Sequence, residues 1–118
     1  MRSLSKVKKN IYNQYGEMDG YWETYYSNGN LSSKGYYKNG EKVGYWKEYH
    51  NTIGILNSKG FYRDGYKEGV WEYYFSNGNL CSTGEYLNGE REGRWRYYDR
   101  DSKLVRNTLH RKGEIVPY

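Results

Sequence analysis

The chain of 118 residues carries 19 basic and 14 acidic residues, a formal net charge of +5, and is long enough for one domain but not for two separate cores. Seventeen tyrosines, four tryptophans and two phenylalanines are its main apolar material; alanine is absent and 15 glycines are spread along the chain. Lacking the best helix former while rich in Tyr, Trp and Gly, it excludes a helical protein and predicts an all-β one of short strands joined by glycine turns.

Residues 1–10 form a basic leading segment (Arg2, Lys6, Lys8, Lys9) without the apolar stretch of a secretory signal. No later run has the length of a membrane-spanning helix. The single cysteine, Cys81, excludes an internal disulfide and a cysteine-based metal cluster and suits a reducing compartment, so a soluble, cytoplasmic protein is expected.

Residues 11–20 read as half of a repeat, with Tyr12 and Gly16 standing where Tyr36 and Gly40 stand in the next unit. From there the chain keeps a beat. Trp22, Trp46, Trp71 and Trp95 recur at intervals of 24, 25 and 24, each followed three residues later by a tyrosine: Tyr25, Tyr49, Tyr74 and Tyr98. Gly20, Gly44, Gly69 and Gly93 precede the tryptophans; Gly16, Gly40, Gly65 and Gly89 come four residues earlier still, and Gly113 closes the last cycle. A fixed period marks a tandem array, divided here into repeats 21–44, 45–69 and 70–93, a capping repeat 94–113 and a tail 114–118.

Each repeat contains two turn signals. Asn28-Gly29 and Asn77-Gly78 read as two-residue hairpins, pairing Tyr26 with Leu31, Thr24 with Ser33 and Trp22 with Gly35 in the first, and Phe75 with Leu80 and Trp71 with Gly84 in the third. Asn39-Gly40, Asp64-Gly65 and Asn88-Gly89 join one repeat to the next and set Gly35 opposite Gly44, Gly60 opposite Gly69, and Gly84 opposite Gly93. The expectation is an elongated, twisted single-sheet meander of about nine strands. In it each tryptophan covers a glycine pair, so Trp22, Trp46, Trp71 and Trp95 are structural. Alternation then puts Trp22, Tyr26, Leu31 and Tyr37 on one face, and Tyr21, Glu23, Tyr25, Lys34 and Tyr36 on the other, the tyrosine-charge face.

The second repeat has one extra residue within 51–55, which lengthens a loop. After Trp95 the pattern frays as a terminal unit's does: Asp101-Ser102 replaces Asn-Gly, Thr108 a glycine and His110 a tyrosine, and Pro117 suits only an edge.

The run from Gly20 through Tyr21, Trp22, Glu23, Thr24, Tyr25, Tyr26, Ser27, Asn28, Gly29 and Asn30 to Leu31, followed by Gly35-Tyr36-Tyr37-Lys38-Asn39-Gly40, resembles the MORN family in its shorter bacterial and viral variant. The likeness extends over roughly residues 12–113. It implies an array of β-hairpins and a binding role: some bacterial members look like antitoxins that neutralise a partner, while others are scaffolds or touch phospholipid.

Catalytic groups do not converge. His50 and His110 are 60 residues apart, neither forms a metal-ligand spacing with Cys81, and Glu23, Glu72, Glu41 and Glu90 recur with the architecture as cross-strand or turn partners of Lys and Arg. The glycines keep the hairpin beat and build no phosphate loop. A non-enzyme without metal or cofactor is expected.

Two surfaces are candidates for partners. Tyr21, Tyr25, Tyr36, Tyr45, Tyr49, Phe61, Tyr74 and Tyr98 line the tyrosine-charge face, among Glu23, Lys34, Lys47, Lys59, Glu72 and Arg96, and tyrosine is favoured at binding hot spots. Arg94, Arg96, Arg100, Arg106, Arg111 and Lys112 make the C-terminal unit basic. The first surface suggests an inhibitor or antitoxin-like neutraliser of a protein partner, a toxin or a defence enzyme; the Lys- and Asn-rich, alanine-free composition suits an AT-rich genome, such as a phage's. The second suggests nucleic acid or anionic lipid, and exposed edge strands suggest a scaffold or homo-oligomer.

Overall fold

The computed structural model describes residues 8–117; Arg2 and Lys6 of the basic leading segment and Tyr118 of the tail lie outside them. Ten strands fall among the described residues: β1 (Ile11–Tyr12), β2 (Met18–Tyr25), β3 (Leu31–Lys38), β4 (Glu41–Tyr49), β5 (Leu56–Arg63), β6 (Tyr66–Tyr74), β7 (Leu80–Leu87), β8 (Glu90–Tyr98), β9 (Leu104–Arg111) and β10 (Glu114–Val116). They form one open antiparallel sheet in chain order, 56 × 32 × 27 Å, so the all-β meander is as expected. The count is ten rather than nine because the tail adds β10, which pairs Glu114 with Arg111.

The junction turns follow the sequence signal. Asn39 (φ 51°) and Gly40 (φ 83°) both take positive φ, as a two-residue turn of the mirror-image type requires, and Asp64-Gly65 and Asn88-Gly89 do the same. Each of these turns also leans on the repeat before it: Gly40 N donates to Met18 O, Gly65 N to Lys42 O and Gly89 N to Lys67 O, all at 2.9 Å.

The turns inside the repeats differ from expectation. At Asn28-Gly29 only the glycine has positive φ. Gly29 N donates to Tyr26 O and Tyr26 N to Asn30 O, which makes a three-residue loop ending in a glycine bulge. The Asn28 side chain selects this form by accepting from Asn30 N at 2.9 Å, and Asn77 does the same for Asn79. Leu31 therefore pairs with Tyr25, not Tyr26, and Leu80 with Tyr74, not Phe75. A second bulge one step further on absorbs Ser32 and Cys81, so Thr24 still meets Ser33 and Trp22 still meets Gly35. Directly paired residues share a face, so Leu31 lies on the side of Tyr25 rather than that of Trp22.

The expected glycine pairs do not form. Between β3 and β4 the register steps from Lys34 opposite Lys47 to Tyr36 opposite Val43, leaving Gly35 unpaired across a bulge; Gly60 and Gly84 repeat this. Gly44, Gly69 and Gly93 pair instead with Tyr62, Tyr86 and His110 of the following strand. They are glycines for their backbone, with φ of 72°, 73° and 73° and open space where a Cβ would stand. Gly35, Gly60 and Gly84 are glycines for lack of room, because the indoles of Trp46, Trp71 and Trp95 lie on them. Each of those indoles thus covers the glycine of the strand before it, not its own register partner.

The core is a row of rings along this face. Tyr12, Trp22, Tyr37, Trp46, Tyr62, Trp71, Tyr86, Trp95 and His110 follow one another edge to face, with centroids 5.1–6.3 Å apart. Each such contact adds about 0.5–1.5 kcal/mol to the burial of the ring area itself. Tyr12 occupies the place of Tyr37, one residue away from the expected equivalence with Tyr36. Trp46, Trp71 and Trp95 are buried to 2% exposure or less, and each indole N–H donates to a carbonyl ten residues back: Tyr36, Phe61 and Glu85. A cation lies over each of these indoles: Lys42 and Lys67 at 4.7 Å, and Arg91 at 4.3 Å. Trp22 has Met18 in the corresponding position and is the most exposed of the four, at 8%.

Candidate functional site

With the tryptophans turned to one face, the opposite face carries side chains that the core does not use. The register gives Tyr21 opposite Tyr36 and Tyr45 opposite Phe61, and both pairs touch, with ring centroids 5.4 and 5.0 Å apart. Tyr45 is 77% exposed, Val70 60% and Tyr36 53%. Between Tyr45 and Val70 lies a depression of about 460 Å³ bordered by Lys47, Lys59 and Glu72, with Trp46 and Gly60 also lining it. A smaller one of about 190 Å³ lies on the other side of Tyr45, among Tyr21, Lys34, Tyr36 and Lys47. Tyr45 is the ridge between them.

Of the remaining candidate rings on this face, Tyr21, Tyr25 and Tyr74 are tied down by neighbouring carboxylates. Glu23 accepts from Lys9 Nζ at 2.8 Å, from Tyr21 OH at 2.7 Å and from Tyr25 OH. These donors, Lys9 foremost and then Tyr25 and Tyr21, hold its carboxyl down at about 2. Burial, followed by the bond to Glu23, pushes the Tyr21 phenol well above the ordinary tyrosine value. Tyr74 is pushed up to about 12, by burial first and then by its 2.8 Å bond to Glu72. Tyr49 and Tyr98 are half-buried at their bulges, paired with Leu56 and Leu104.

The basic candidates are dispersed. Arg94 and Arg96 flank Trp95 and so lie on the tyrosine-charge face, whereas Arg106 pairs with Tyr97, which packs on the core, and its guanidinium lies 5.5 Å from that ring. Arg100 lies over Phe75 at the loop edge and bonds Ser76. Arg111 and Lys112 are at the opposite edge, where Lys112 N donates to Glu92. Of the periodic acids, Glu72 pairs with Lys59 at 3.5 Å and Glu23 with Lys9, whereas Glu41 and Glu90 rest against the turn glycines Gly65 and Gly113 of the next repeat.

Sequence reasoning missed the cations over the indoles. Their signal was legible, since Lys42, Lys67 and Arg91 each stand four residues before a tryptophan. They belong to the core: Lys67 Nζ bonds Tyr73 OH and Arg91 bonds Tyr97 OH, both at 2.8 Å. His110 is buried against Thr108, and among the described residues no three His, Cys, Asp or Glu side chains are grouped to hold a metal ion.

Fold and surface define a tandem β-hairpin repeat protein, closed by its own core on one face and open on the other. Residues 18–39 and 67–88 match the family described as MORN repeat variant, so the chain carries MORN repeats. The matched stretches hold the hairpins β2–β3 and β6–β7; the hairpins after each, one with a longer loop and one with Thr108 in the glycine position, keep the same tryptophan register. MORN repeats suggest a binding or scaffold module, and the repeat family is not known for catalysis. No curated protein matches the chain.

Proposed function

We propose that the chain is a non-catalytic protein-binding module that docks through its tyrosine-charge face and, by covering a partner enzyme, inhibits it in the manner of an antitoxin. The observation that carries this reading is Tyr45, a ring 77% exposed on β4, standing between two depressions beside Phe61 and Val70. A ring held by a strand loses little freedom on binding, and tyrosine combines contact area with a hydrogen-bonding end. A cytoplasmic place of action belongs to the proposal and agrees with the free, half-buried Cys81.

The scatter of Arg94, Arg100, Arg106 and Arg111 over both faces and both edges favours a protein partner over an extended polyanion, which needs a continuous basic track. Affinity capture with the full chain and with a Tyr45→Ser/Val70→Ser variant tests the proposal. The expected result is an enzyme retained by the first, lost from the second, and inhibited when the purified chain is added back. Equal retention by both, or a retained enzyme whose activity does not change, contradicts it.

A further inference from the structure

One row of register partners crosses the open face from end to end: Glu23, Lys34, Lys47, Lys59, Glu72, Thr83, Arg96 and Asn107, each directly opposite the next. Three lysines in succession hold its second, third and fourth places, on β3, β4 and β5. Strands lie about 4.8 Å apart, so Lys34, Lys47 and Lys59 bring three ammonium groups onto a span of roughly 10 Å. Like charges directly opposite are destabilising in a sheet, and the acids at the ends of the trio relieve little of it. Glu23 is already taken by Lys9, Tyr21 and Tyr25, and Glu72, which also accepts from Tyr74 OH, reaches only Lys59 of the three lysines, at 3.5 Å. Lys34 and Lys47 form no ion pair among the described residues. Lys47 is exposed, flanked by lysines on both sides, and lines both depressions beside Tyr45.

We infer that the Lys34–Lys47–Lys59 trio, with the Tyr45 ridge, is a site for a short acidic segment of a protein partner, whose carboxylates lie over the lysines while a neighbouring apolar side chain enters the depression between Tyr45 and Val70. The inference rests on the protein-binding reading and specifies its chemistry. Charge complementarity selects the occupant. The positive stretch is three strands wide and ends in a carboxylate on each side, Glu23 and Glu72, which matches two or so carboxylates of a peptide. A nucleic acid or an anionic lipid surface would extend across those acids and be repelled by them. The apolar wall formed by Tyr45 and Val70 next to the charges likewise suits an acidic residue followed by an apolar one.

The full chain is panned against a random-peptide display library, with phosphatidylserine vesicles and a single-stranded oligonucleotide as parallel probes. The expected result is enrichment of peptides with Asp or Glu next to Leu, Phe or Tyr. Their affinity should fall about tenfold or more with Lys47→Glu and little with Lys38→Glu, a change at an exposed junction-turn position. Lys47→Glu should melt no lower than the native chain because it relieves the repulsion, an outcome that a structural role for Lys47 would not give. Enrichment without acidic residues, peptides indifferent to Lys47→Glu, or binding confined to vesicles or oligonucleotide overturns the inference. Non-acidic peptides that need Tyr45 but not Lys47 overturn it while leaving the protein-binding reading standing; if no peptide is enriched and Tyr45→Ser/Val70→Ser leaves capture unchanged, both fall.

Discussion

A Cβ placed on Gly35 would fall 2.1 Å from Cδ2 of Trp46, inside the indole that lies across it. Trp46 cannot yield, since Tyr37 and Tyr62 hold its two sides and Lys42 lies over it. Gly44, nine residues on, has open space around it and a φ of 72°. The same substitution should therefore fail for two reasons and by two amounts. Gly35→Ala should cost about 3 kcal/mol or more through overpacking, and Gly44→Ala about 1–2 kcal/mol through left-handed backbone strain. Chemical denaturation of both variants checks the ordering.

The ammonium of Lys67 is within about 5 Å of three ring centres, those of Trp71, Tyr73 and Tyr86, and donates to Tyr73 OH. Lys67→Met keeps the stem and removes the charge. A loss of about 1–2 kcal/mol is expected in denaturant titrations, from the cation–ring contacts and the hydrogen bond together. Loss of the same size at Lys38, exposed at the turn end of β3, would show that the effect is one of net charge.

Glu23 titrates at about 2 in the folded chain against an ordinary glutamate value of 4.5. Because the folded value is the lower one, the contribution of the Lys9–Glu23–Tyr25 cluster to stability is complete above about pH 4.5 and is lost as pH falls through 2. Both side chains are partly solvated, so solvent screening keeps the energy small. An NMR titration of the Glu23 carboxyl carbon should give a midpoint near 2 and move up toward 4.5 in Lys9→Ala; a midpoint unmoved by that change contradicts the assigned cause.

Much of this fold was legible because period, face and turn chemistry reinforce one another. The tryptophan beat gave the repeat, and Asn39-Gly40 gave its turn. What failed to read through was the choice of turn type and the placing of bulges. The dipeptide Asn-Gly makes one turn at 39–40, where the backbone of β2 receives it, and another at 28–29, where the Asn28 side chain bonds two residues ahead. The bulge at Gly44 shifts register by two residues, so the indole of Trp46 reaches the strand behind it, which a count of alternation cannot show. For the site, alternation was enough to place Tyr45 and Lys47 on the open face. It could not separate Tyr45, 77% exposed with Phe61 against its ring, from Tyr21 and Tyr25, which are bound to Glu23.

Truncating a core ring should cost folding before binding. Trp71→Ala should lose about 3–5 kcal/mol, whereas Tyr45→Ser, at a largely exposed ring, should stay within about 0.5–1 kcal/mol of the native stability and lose partner affinity instead. Thermal melts read beside binding isotherms of the same two variants separate the roles of the faces.

Tyr45 and Tyr15 are equally exposed, at 77%, one on the open face and the other in the loop before β2. A photoreactive phenylalanine analogue substituted at each position in turn, and irradiated with the captured partner, compares the two sites at matched accessibility. A partner adduct formed from position 45 and not from position 15 is the predicted result. An adduct from position 15 with none from position 45 would contradict the assignment of the tyrosine-charge face as the binding face.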